Sequence, residues 1–209
     1  LAERGAYDGG VALERVRLGP PVPDPRSVFG IGLNYRCHAA ETGATVPEFP
    51  AVFAKFPASV CGPFDDIVLP SGWHAVDWEA ELAFVVGRGG RHILRERALE
   101  HLAGFICAQD VSERRLQRSA GMQFSMGKSF DTFCPTGPAL VSLDELADPL
   151  DLRIVCRVNG EVRQDARTTD MVHDVAALVE FLSSVLTLRP GDICLTGTPA
   201  GVGVARTPP

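Results

Sequence analysis

The sequence predicts a mixed α+β domain, and three observations carry that expectation. Short β-branched and apolar runs bounded by glycine or proline recur along the chain, as in SVFGIGL at Ser27–Leu33 and AGFICA at Ala103–Ala108. The pair Asn159-Gly160 separates Leu152–Val158 from Glu161–Gln164, and Asn-Gly supplies the two left-handed residues of a tight hairpin turn. One segment, Asp174–Leu188, reads as a helix with Val175, Leu178, Val179, Leu182, Val185 and Leu186 as its buried stripe, stopped by Arg189-Pro190-Gly191.

Composition bounds the function classes. With 209 residues and 45% hydrophobic content, the chain builds one sizeable core. Twenty basic against 26 acidic residues give a net charge of −6, and no Lys/Arg-rich run appears, so no nucleic-acid surface is expected. No apolar run approaches the roughly 18 residues of a membrane span, so no membrane partner is expected either. The six cysteines form no C-x-x-C pair and read as small buried residues in a reducing compartment. The expected location is cytoplasmic, or the mitochondrial matrix in a eukaryote. The start at Leu1 suggests a processed or truncated N-terminus.

The elements follow in order. Residues 1–25 form an N-terminal segment ending in the proline-rich linker GPPVPDP, and residues 26–209 form the main domain. The strand Ser27–Leu33 contains Gly30-Ile31-Gly32, but Tyr35 stands where a dinucleotide fingerprint needs its third glycine. In Asn34–Glu41, His38 and Glu41 are three apart, which a helical turn brings onto one face. That pair is either a general base with its orienting carboxylate or a plain surface ion pair. Residues 42–50 are turn-rich and suit a loop that closes over a site. A strand at Ala51–Phe56 follows, with Lys55 expected to face solvent.

The stretch Val76–Val86 reads as one buried strand through Glu79 and Glu81. Alternation puts both acids on one face, where burial requires a cation between them unless this is a solvated edge. Arg91–Leu102 holds an amphipathic helix with Leu94, Ala98, Leu99 and Leu102 at helical spacing. The next strand ends at Asp110, a third carboxylate at a rigid strand end. Ser112 is expected to cap a largely surface helix over 112–120 that contains Arg114, Arg115 and Gln117. Gly127-Lys128-Ser129 is not a nucleotide loop, because Met122 stands where the upstream glycine belongs. A last strand, Asp192–Thr196, leads into the glycine-rich turn Gly197–Gly203.

Three acids near strand ends, with no zinc spacing and no G-x-S-x-G elbow, leave Mg²⁺ or Mn²⁺ as the expected ion, with Ca²⁺ also admitted by an oxygen donor set.

The successive motifs GLNYRCHAAE, VDWEAELAFVVG, AGFICAQDVSERRLQ, GKSFDTFCPTGP, CRVNGEVRQ and LTGTPAGVG resemble those of the fumarylacetoacetate hydrolase superfamily over about residues 27–203. KSFDTFCPTGPALV and CRVNGEVRQ resemble in particular its domain-containing protein 2 branch. The resemblance implies a mixed β-roll, a Mg²⁺ or Mn²⁺ cofactor and a homodimer. It makes Glu79, Glu81 and Asp110 the metal ligands, and His38 and Glu41 a water-activating dyad on a mobile lid. It places Lys128 and Gln117 as polar groups near the reacting oxygen, and Tyr35, Lys128 and Thr198 on the substrate side. Cys37 and Arg115 depart from the acids common at those positions, and the family continues past Pro209, so the C-terminus looks incomplete.

The expected substrate is a small 2-oxo acid or 1,3-dicarbonyl compound that reacts through a metal-stabilised enolate. Acylpyruvate-type C–C hydrolysis stands first. Oxaloacetate tautomerisation or decarboxylation and 2-hydroxyhepta-2,4-diene-1,7-dioate isomerisation are the alternatives. A catalytically inactive dimeric relative is the non-enzyme reading.

Overall fold

The computed structural model describes residues 11–119, 121 and 123–207. The first ten residues of the N-terminal segment, the end of the 112–120 helix and Pro208-Pro209 lie outside the described residues. The strands are β1 (Val28–Gly32), β2 (Ala51–Lys55), β3 (Val60–Cys61), β4 (Val76–Asp77), β5 (Ala80–Val86) and β6 (Leu102–Gln109). They continue with β7 (Ser112–Glu113), β8 (Cys134–Pro135), β9 (Arg153–Val158), β10 (Glu161–Arg167) and β11 (Ile193–Leu195). The α-helices are α1 (Arg36–Thr42), α2 (Arg114–Ser119) and α3 (Val175–Val185).

A five-stranded mixed sheet in the order β2-β1-β11-β5-β6 is the frame. Only the β1–β11 pair in it is parallel; the neighbouring pairs are antiparallel. β5 lies inside this sheet and all seven of its residues are buried, which explains its near-continuous apolar run. One core cluster joins Phe84, Val86 and Phe105 to the inner face of α3 through Leu178, Val179 and Leu182. A second gathers Val28, Ala83, Val85, Ile106 and Ile193 on the opposite side of the alternating strands. The mixed α+β expectation holds. The β9–β10 hairpin forms as expected, with Asn159 at φ 53° and Gly160 at φ 82°.

Several local expectations are corrected. The strand expected over Val76–Val86 is broken at Trp78-Glu79, because β4 leaves the main sheet to pair with β7. The amphipathic segment at Arg91–Leu102 is a 3₁₀ helix, Arg95–His101, whose three-residue repeat buries Ala98 but leaves Leu94 exposed. Ser112 does not cap α2: its hydroxyl donates to the Asp110 carbonyl, while Glu113 accepts from the Leu116 N–H at 2.6 Å. α2 is not a surface helix throughout, since Arg114 and Gln117 are buried. α3 ends at Val185, which is exposed rather than part of the buried stripe. Cys107 is exposed and Cys37 half-buried; the other four cysteines are buried as expected.

Candidate metal centre

Three elements converge on the acids. Glu79 sits at the break between β4 and β5, Glu81 is the second residue of β5, and Asp110 follows the end of β6. The β5–β6 register sets Ala80 opposite Gln109, and the Asp110 N–H donates to the Glu79 carbonyl at 2.8 Å. These bonds hold the two strand ends together. The three side chains are buried, and each offers an oxygen within 4.8 Å of the others.

Two of the acids are compensated by cations. Lys128 Nζ donates to Glu79 Oε2 at 2.7 Å, Asp110 Oδ2 at 2.5 Å and Ser112 Oγ at 2.9 Å. Arg114 Nη1 lies 2.6 Å from Glu79 Oε1 and also donates to Gln117 Oε1 at 3.0 Å. Burial alone would raise the Glu79 carboxyl, but Lys128 and Arg114 outweigh it and hold the group well below the usual carboxylate range. Burial likewise opposes the charge on Lys128, and Asp110 and Glu79 overcome it, keeping the ammonium protonated.

Glu81 differs. Its hydrogen-bond donor is the Gly197 N–H, at 2.6 Å, and among the described residues no cationic side chain pairs with it. Burial and the neighbouring Asp110 and Glu79 push its carboxyl well above the ordinary value. A buried carboxylate short of positive charge beside two others fits a hard divalent cation, which prefers oxygen ligands. The set fits Mg²⁺ or Mn²⁺ on this ground.

Backbone geometry builds the rest of the rim. A side chain at Gly127 would meet the Gln117 backbone at 2.6 Å, so only glycine lets the Lys128 segment lie against α2. Gly197 stands at φ 102°, close to Asn34, and turns its N–H onto Glu81. Asn34 ties the β1 end to this turn by donating to the Thr196 carbonyl at 2.7 Å. Thr198 Oγ1 donates to the Ala80 carbonyl and accepts from Gln164 Nε2, so its hydroxyl is committed to the scaffold.

On α1, His38 Nδ1 and Glu41 Oε2 are 3.2 Å apart, and His38 is buried. Glu41 Oε1 also accepts from the Gly201 N–H at 2.8 Å, so the dyad is anchored to the glycine turn. Cys37 joins the same contact, its Sγ accepting from the Ala200 N–H at 3.4 Å. Tyr35 stands in the main core, fully buried, and its hydroxyl has no partner among the described residues.

The structure thus gathers Glu79, Glu81, Asp110 and Lys128, links Gln117 to them through Arg114, and pairs His38 with Glu41. Lys55 overturns its expectation. It is buried rather than solvent-facing, and its Nζ donates to Asp110 Oδ1 at 2.7 Å and to the Phe133 and Lys128 carbonyls. Its partners lie 55 to 78 residues away, and no local pattern announces them. Arg114 was also missed as a site residue; its helical offset of three from Gln117 was the available signal.

Comparison with known proteins places the chain among relatives of one family. Human mitochondrial oxaloacetate tautomerase FAHD2A is 50% identical over 190 residues, covering 90% of this chain and 60% of that protein. The crystal structure of 2-hydroxyhepta-2,4-diene-1,7-dioate isomerase from Mycobacterium marinum is 41% identical at a TM-score of 0.84, covering 95% of this chain and 73% of that one. Fumarylacetoacetate hydrolase from Exiguobacterium antarcticum is 40% identical at a TM-score of 0.85, covering 97% and 76%. The chain therefore spans about 60% of the length of the curated relatives it matches. No helix among the described residues is long and apolar enough to cross a membrane. The family described as fumarylacetoacetate hydrolase, C-terminal, matches residues 27–209, and with half the residues shared with its domain-containing 2 relatives, this chain belongs to that family.

Proposed function

We propose that the chain is a divalent-metal-dependent enzyme that interconverts the keto and enol forms of a 2-oxo acid, with oxaloacetate as the substrate. The observation that carries this reading is the buried Glu79–Glu81–Asp110 cluster, in which Glu81 lacks a cationic partner among the described residues. Glu79, Glu81 and Asp110 would hold Mg²⁺ or Mn²⁺, which would supply Lewis acidity to the substrate. Lys128 offsets the negative charge that develops on the keto oxygen as a C3 proton leaves. Arg114 orients Gln117 beside it. His38, steered by Glu41, takes the proton from C3 and delivers it to the keto oxygen to give the enol; in the reverse direction it takes the enol proton and delivers it to C3.

The sequence put acylpyruvate-type hydrolysis first. The named activities of the relatives at about half identity support tautomerisation instead, and those of the isomerases support the same kind of proton movement. Hydrolysis remains the second reading because a buried histidine hydrogen-bonded to a carboxylate also suits water activation. The test follows the enol absorbance of oxaloacetate and, separately, the cleavage products of an acylpyruvate, with Mg²⁺ and after metal stripping. Mg²⁺-dependent loss of the enol signal without pyruvate release supports the tautomerase reading. Acylpyruvate cleavage with no effect on oxaloacetate supports hydrolysis, and no metal-dependent turnover of either overturns both.

A further inference from the structure

Arg114, which touches Glu79, also forms part of the wall of a cavity of about 720 Å³ whose lining includes none of Glu79, Glu81, Asp110 or Lys128. Arg115, Arg118, Arg163 and Arg206 line it as well. Five of the 20 basic residues of an acidic chain therefore line one open cavity.

The lining is not self-neutralised. Among the described residues its one carboxylate, Asp77, is already satisfied: it accepts from Arg114 Nε at 2.9 Å and from the Gly203 and Val204 N–H groups. Arg114 is committed to Asp77 and Glu79. Arg163 pairs with Glu161 through Nη2 at 2.6 Å, but its Nε is buried with no partner among the described residues. Arg206 is held by two backbone carbonyls, those of Gly201 at 3.3 Å and Arg163 at 2.9 Å, which position its fork without cancelling its charge. Arg115 lies over the Trp73 ring, 5.9 Å from its centroid. Among the described residues, none of Arg115, Arg118 and Arg206 pairs with a carboxylate.

We propose that this cavity binds a small polyanion, a phosphate or a polycarboxylate, through Arg118, Arg163 and Arg206. Guanidinium forks match planar or tetrahedral oxyanions, and several of them lining one cavity favour an anion there. The volume lies within the roughly 300–1,000 Å³ of small-ligand sites, which favours a compact ligand over a macromolecular surface.

The test is isothermal titration calorimetry of the metal-stripped chain, in buffer free of chelator, with inorganic phosphate and with tricarballylate as probes. Emission from Trp78, which lines the cavity, is the local reporter. Saturable binding is expected, weakened by about tenfold or more in Arg118→Ala and in Arg206→Ala and retained in Lys128→Met. The tighter probe identifies whether phosphate or carboxylate is the preferred source. Arg118 is exposed and makes no hydrogen bond among the described residues, so its variant keeps the fold if Arg206→Ala does not. Absence of saturable binding by both probes, equal affinity in Arg118→Ala and the parent chain, or loss of binding in Lys128→Met overturns the proposal.

Discussion

Lys55 Nζ lies 2.7 Å from Asp110 Oδ1, and both side chains are buried. Lys128 holds the other oxygen of the same carboxylate at 2.5 Å, so Asp110 is gripped between two ammonium groups. Removing one partner of a buried pair leaves an uncompensated charge. Lys55→Met is expected to lower the stability of the metal-free chain by about 3–5 kcal/mol, and saturating Mg²⁺ restores part of the loss. Urea unfolding with and without Mg²⁺ measures both effects. A variant as stable as the parent shows that Lys55 contributes nothing net to the fold.

The raised Glu81 carboxyl fixes the sign of a pH effect in the metal-free chain. Its folded pKa lies above the unfolded value, so the folded state binds more protons in the window between the two. Its contribution therefore falls as pH climbs above about 4.3, the ordinary glutamate value. Glu79, held low by Lys128 and Arg114 against burial, acts oppositely: its contribution is lost as pH falls below that same value. Glu81→Gln is expected to flatten the decline above it and leave the acid limb in place. Thermal melting of parent and variant across pH, both metal-stripped, shows this. A variant whose melting temperature still declines as steeply removes Glu81 as the cause.

The role proposed for Lys128 predicts that turnover and metal affinity respond differently to its loss. In the fold described here its ammonium occupies two of the three acids. Lys128→Met frees those oxygens, so Mg²⁺ affinity is expected to stay the same or tighten, while turnover drops about 10²–10³-fold through loss of charge stabilisation. Metal titration and steady-state kinetics on the same preparation distinguish the two. Weaker metal binding in step with lower turnover contradicts the assigned role.

His38→Gln is expected to reduce turnover by about 10²–10⁴-fold with Mg²⁺ affinity unchanged, as removal of a general base does. Glu41→Gln is the milder change, since the amide oxygen can still accept from the Gly201 N–H. A pH–rate profile whose lower limb disappears in His38→Gln identifies the base; an unaltered limb assigns it elsewhere.

The features legible in the sequence are the local ones. Glu79 and Glu81 are two apart at the mouth of a buried strand, Asp110 closes the next one, and Asn159-Gly160 fixes its hairpin by conformational preference alone. His38 and Glu41 are one helical turn apart, and that spacing is enough to bring them together. The features that were misread depend on distant contacts. Lys55 sits at a strand end, where a lysine ordinarily meets solvent, and only its packing against residues 110, 128 and 133 buries it. The break at Trp78-Glu79 arises because β4 pairs with β7, and that break carries Glu79 to the cluster with Glu81 and Asp110. Ser112 has the chemistry of a helix cap, yet the Asp110 carbonyl and Lys128 claim its hydroxyl, and Glu113 takes the capping role.

The most direct measurement is a Mn²⁺ titration of the metal-stripped chain, read by calorimetry and by the electron paramagnetic resonance signal of free ion. One saturable site per chain is expected, lost or severely weakened in both Glu81→Gln and Asp110→Asn, with Mg²⁺ competing for it. No binding at millimolar Mn²⁺, or a site that both variants keep at full affinity, would contradict a metal centre built from these three acids.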